Sequence, residues 1–134
     1  MKLKNKYQAE KWFKLADEDL KYALASFKDF QAYYGQICFI VQQAVEKYLK
    51  GFLVLHKNSF PKIHDLVKLL KLCSEIEADF LDYVDEVNYL SQFYLITRYP
   101  LTEYPPAGKK EAKKAITFAE EVINFVKKKN YVHL

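Results

Sequence analysis

Residues 33–55 read YYGQICFIVQQAVEKYLKGFLVL, and this stretch decides the fold. Ile37, Val41, Ala44, Val45, Tyr48, Leu49 and Phe52 recur at steps of three and four, the spacing of an α-helical face. No proline interrupts the pattern, since all four prolines lie beyond residue 60. Glu46 and Lys50 stand at i and i+4 in the favourable order, a pairing worth about 0.2–0.5 kcal/mol on a helix surface. Gly51 sits inside the same run and predicts a neighbour packed close to the backbone. So broad an apolar stripe needs other helices to cover it.

The flanking sequence supplies them. Trp12, Leu15, Ala16, Leu20, Ala23, Leu24 and Phe27 predict a first helix over about 7–27, with Asp17, Glu18 and Asp19 between the apolar positions. Leu66, Leu69 and Leu70 predict a short helix near 64–73, capped by His64 or Asp65. Ser74 followed by Glu77 has the capping-box spacing and predicts the start of a further helix there. That helix carries Phe80, Leu81, Val84, Val87, Leu90 and Phe93 inward and stops near 96–98, ahead of Pro100. Ala112, Ala115, Ile116, Ala119, Val122, Ile123 and Val126 stripe a last helix over about 107–128. No segment alternates with period two for long enough to propose a strand. The expected fold is all-α: an up-and-down antiparallel bundle of four long helices and one short one, forming a single domain over 1–134.

Composition narrows the function. The 134 residues are 51% hydrophobic and 28% charged, which suits one soluble domain with a real core. Two cysteines make no disulfide scaffold, and Cys38 and Cys73 fall at apolar helical positions as core thiols. The charged start, Met1 to Lys6, leads into no apolar run, so neither a secretory signal nor a membrane span is expected and the cytoplasm is the expected location. Residues 1–72 carry 13 Lys against 7 acids, or +6; residues 73–104 carry Arg98 against 7 acids, or −6; residues 105–134 carry 7 Lys against 3 acids, or +4. That alternation favours ends that meet across an acidic middle, or self-association through opposite patches. It lacks the single basic face of a dedicated nucleic-acid domain. Three isolated glycines, Gly35, Gly51 and Gly108, exclude a phosphate-binding glycine loop. His64-Asp65, with only His56 and His133 elsewhere, is too sparse for a metal centre.

What remains is Thr97-Arg98-Tyr99-Pro100-Leu101-Thr102-Glu103-Tyr104-Pro105-Pro106. Of the 21 basic residues 20 are lysine, and Arg98 is the exception. A cation at a helix C-terminus complements the macrodipole, but lysine does that equally well. The use of arginine at this one place points to a geometric role, in a phosphate site or in a buried ion pair. Tyr99 and Tyr104 are the neighbouring stacking surfaces.

The run Gln42-Gln43-Ala44-Val45-Glu46-Lys47-Tyr48-Leu49-Lys50, then His64-Asp65-Leu66, then Thr97-Arg98-Tyr99-Pro100, resembles HEPN domains in order and spacing. Trp12, Ala16, Asp19, Leu20 and Ala23 fit the first helix of that family. The resemblance covers essentially the whole chain and implies the same helical bundle, commonly as a homodimer. Many HEPN proteins are metal-independent endoribonucleases, with an Arg followed after four to six residues by a His in a cleft shared by two protomers. There the Arg would hold the scissile phosphate and the His would act as acid or base. Arg98 matches the first part, whereas residues 103–105 are Glu, Tyr and Pro and the next histidine is His133. The chain looks more like the prokaryotic stand-alone HEPN proteins encoded beside a minimal nucleotidyltransferase, some as toxin–antitoxin pairs. In the toxin branch the partner modifies a Tyr just after the motif, and Tyr104 lies one place from that position. The resemblance thus implies a non-catalytic module that binds a nucleotide such as ATP, or the nucleotidyltransferase. Its candidate contacts are Arg98, Tyr99, Glu103 and Tyr104, with no metal and no membrane. The alternatives are an endoribonuclease with a degenerate motif that cuts RNA, and a purely structural module in which Arg98 pairs with an acid from 75–86.

Overall fold

The centre of the molecule is one helix. The computed structural model describes the backbone of residues 3–98 and 107–133, and side chains over 4–94 and 107–130. Five α-helices are described: α1 (Leu3–Phe30), α2 (Tyr34–Lys57), α3 (Leu66–Ser74), α4 (Val84–Arg98) and α5 (Lys109–His133), with a 3-10 segment, Ala78–Tyr83, leading into α4. No strand occurs among the described residues. α2 packs against α1, α3, α4 and α5, so the other helices surround it. Every residue from 41 to 55 is buried except Gln43 and Lys47, as expected of a helix covered on all sides. The up-and-down bundle read from the sequence is the observed fold.

The α1–α2 pairing is close because its contact residues are small. Ala9, Ala16 and Ala23, seven apart, are fully buried on α1. Opposite them, a Cβ at Gly51 would overlap the Phe13 ring. Phe13 in turn stacks on Tyr48 at 5.2 Å. Polar contacts fix the pair laterally: Tyr48 donates its hydroxyl to Asp17, and Lys47 Nζ meets Asp19 at 2.6 Å. The expected α1 stripe needs one correction, because Leu15 and Leu24 are exposed. Each lies one residue from a buried alanine, about 100° around the helix, and the seam is only as wide as the alanines allow. α5 buries all seven of its expected stripe residues.

The start of the fourth helix also differs. Ser74 closes α3, its hydroxyl donating to the Lys71 carbonyl at 2.6 Å, so it does not form a capping box with Glu77. Glu77 is the N-cap of the 3-10 segment, without a side-chain cap bond. With three residues per turn, Phe80 and Tyr83 share a face and Leu81 turns outward, 48% exposed rather than buried. The acidic middle meets basic flanks here: Lys57 pairs with Glu75 at 3.0 Å, and Lys129 lies 3.5 Å from Asp79 and 3.7 Å from Glu77.

Candidate functional site

α2 leaves the core at Asn58, which adopts φ 62° and donates its N–H to the Val54 carbonyl. The chain then turns back to α3, whose N-cap is Asp65: its Oδ1 accepts the Lys68 N–H at 3.1 Å. That cap assigns the two candidates. Asp65 caps the helix, and His64 is left to reach toward α2.

His64 Nδ1 lies 2.9 Å from Glu46 Oε2. The same oxygen accepts from Lys50 Nζ at 2.8 Å, while Gln42 Nε2 approaches Glu46 Oε1 at 3.4 Å. The side chains of Glu46 and Lys50 are only 4% and 7% exposed. Two opposite charges at this depth persist because they are paired and hydrogen-bonded. Lys50 Nζ also lies over the Phe60 ring at 5.3 Å and the Trp12 ring at 5.9 Å, which close its outer side. A carboxylate already bound to an ammonium can only accept, so His64 donates from Nδ1. The imidazole, with its side chain 53% exposed, stacks on Tyr94 of α4 at 5.0 Å and 17° between planes. The buried glutamate thus aims the ring and the tyrosine flattens it.

His64, Asp65, Ser91 and Tyr94 line a cleft of about 330 Å³ between the α2–α3 connection and α4. That is at the small end of ligand-pocket sizes. α4 runs on past the cleft to Arg98. Ser91, Tyr94 and Arg98 stand at i, i+3 and i+7, one face of the helix by register. The structure therefore brings the Arg98 backbone position to the end of a built cleft. Tyr99, Glu103 and Tyr104 lie outside the described residues, as does the side chain of Arg98.

Glu46, His64 and Tyr94 escaped the sequence reading as site residues. A usable signal was present: Gln42, Glu46 and Lys50 line up at i, i+4 and i+8 beside the apolar stripe; the pair expected at a helix surface is buried, and buried charges call for partners. The thiols behave as expected. Both are buried; desolvation and then Glu111 push the Cys38 thiol up to about 12, and desolvation raises Cys73 further. No trio of His, Cys, Asp or Glu gathers among the described residues as a metal centre would. No described helix is long and apolar enough to cross a membrane.

A central helix wrapped by four others, with a cleft toward the end of the fourth, defines a small all-α bundle domain. The HEPN domain family matches residues 9–129, nearly the full length. The chain belongs to the HEPN family. It is similar to the crystal structure of TT1696 from Thermus thermophilus, with 29% identity and a TM-score of 0.75, over 91% of this chain and 98% of that one. It is also similar to ST0689, an archaeal HEPN homologue, with 28% identity and a TM-score of 0.71, over 90% of this chain and 96% of the other. No curated protein matches.

Proposed function

We propose that this HEPN domain is a non-catalytic binding module that holds the phosphates of a nucleotide such as ATP through Arg98. Tyr99, Glu103 and Tyr104 are its other candidate contacts. The module works in the cytoplasm as a homodimer beside a minimal nucleotidyltransferase, in the manner of a toxin–antitoxin pair. The observation that carries the reading is the placement of Arg98, the one arginine among 21 basic residues, at the end of α4 directly beyond the 330 Å³ cleft. A planar fork of donors suits a phosphate better than a point charge does.

Association has support of its own. Tyr22, Phe30 and Tyr33 are exposed aromatics around a second cleft, of about 300 Å³, where α1 turns into α2. Clustered exposed aromatics are typical of surfaces that a partner covers. The endoribonuclease alternative still finds Glu, Tyr and Pro at residues 103–105, where its histidine would stand.

Calorimetric titration of the purified chain with ATP, its mass followed by light scattering, tests the reading. Binding to a dimer is expected, and Arg98→Lys should weaken it at least about tenfold while circular dichroism stays unchanged, as expected when a bidentate contact becomes a single one. Equal affinity in Arg98→Lys removes Arg98 from the site, and a monomeric mass removes the homodimer.

A further inference from the structure

The cleft beside Arg98 has a polarity of its own. His64 uses Nδ1 as a donor to Glu46, and the negative charge of Glu46 is already met by Lys50. With Nδ1 committed to Glu46, the neutral ring carries its lone pair on Nε2, which has no hydrogen-bond partner among the described residues. Ser91 spends its hydroxyl hydrogen on the Asn88 carbonyl at 2.7 Å, so toward the cleft it too offers lone pairs. Asp65 uses one carboxylate oxygen on the Lys68 N–H, and the other remains an acceptor. Three of the four described lining residues thus present acceptors, one of them anionic. A phosphate would be repelled by such a wall. A group rich in hydroxyl donors would be held by it.

We infer that this cleft is a ribose subsite, in which Asp65, His64 Nε2 and Ser91 accept the 2′ and 3′ hydroxyls of a nucleotide whose phosphates run toward Arg98. The inference rests on the nucleotide-binding reading and adds the sugar to it. Scale agrees: Tyr94 and Arg98 are separated by about one helical turn, roughly 6 Å of rise, a step of the same order as that from a ribose hydroxyl to the 5′-phosphate. Chemistry agrees as well, because a vicinal diol offers two donors side by side and a carboxylate with a neighbouring imidazole nitrogen accepts both. Glu46 does not touch the ligand in this arrangement. It is a positioning residue that fixes which ring nitrogen faces the cleft.

The test compares ATP with 2′,3′-dideoxy-ATP by calorimetry on the wild-type chain, on Asp65→Asn and on His64→Gln. Asparagine keeps an oxygen for the helix cap and puts a donor where the cleft oxygen was. The wild type should prefer ATP by about tenfold or more, a typical return for hydrogen bonds that include a charged acceptor. Both variants should bring the ratio close to one by weakening ATP alone, with helix content unchanged. Equal binding of the two ligands by the wild type overturns the ribose subsite, as does a ratio that survives in both variants. If ATP binding still falls in Arg98→Lys, those results leave the nucleotide-binding reading standing. If neither ligand binds the wild type, both readings fall.

Discussion

α2 and α4 carry glutamates that met opposite fates. On α2, Glu46 is buried with its countercharge Lys50 one turn away on the same helix. On α4, Glu86 is partly buried without such a neighbour; desolvation raises its carboxyl above the ordinary range, a backbone hydrogen bond opposes the rise, and Glu121 and then Asp85 add to it. The helices differ in the same way. Between residues 41 and 55, α2 hides all but two side chains, whereas up to residue 94 α4 buries only Val87, Leu90 and Phe93. A helix covered on all sides can hold an ion pair only as a closed unit, and that unit is then rigid enough to aim His64. A helix covered on one side has an open face that can line a cleft, and α4 contributes Ser91 and Tyr94 to it.

The contrast is easiest to break at Glu46. Glu46→Ala strands Lys50 in the core and should cost about 3–5 kcal/mol in urea unfolding, while replacing both residues by methionine should come close to wild-type stability. A small loss in the single variant would mean that water reaches the pair and that α2 is less insulated than its burial indicates. Gly51→Val tests the closeness of α1 to α2. A branched side chain driven into the Phe13 ring should cost about 1–3 kcal/mol, read from the same unfolding midpoints. An unchanged midpoint would show that the Phe13 ring swings aside freely.

Glu86 should give the smallest effect, and its sign is informative. The fold favours the protonated carboxyl, so its contribution is present at low pH and is lost as pH rises through the raised folded-state value. Glu86→Gln should therefore match the wild type in acid and exceed it near neutrality, by about 0.5 kcal/mol or less for so accessible a site. A variant less stable than wild type at pH 7 would show that the ionised carboxylate has a favourable partner.

The legible and illegible parts divide along physical lines. The stripes of α2 and α5 were readable because long helices with three- and four-residue spacing bury what they repeat. Leu15, Leu24 and Leu81 misled because a stripe shows which side is apolar and not how wide the contact will be. Ser74 misled because its hydroxyl had a nearer acceptor in the turn behind it. Arg98 stood out by composition alone, and the end of α4 near Pro100 was equally plain.

Local spacing and residue type alone set the helix count, the broad apolar stripe of α2, the buried thiols and the singularity of Arg98; the central place of α2 came from the packing. Only the tertiary structure decided that Glu46, His64 and Tyr94 meet, because they come from three separate segments and no periodicity links them. It also decided which nitrogen of His64 is held by Glu46. Whether a histidine offers a proton or a lone pair depends on what holds its other nitrogen, and that partner lies 18 residues away along the chain.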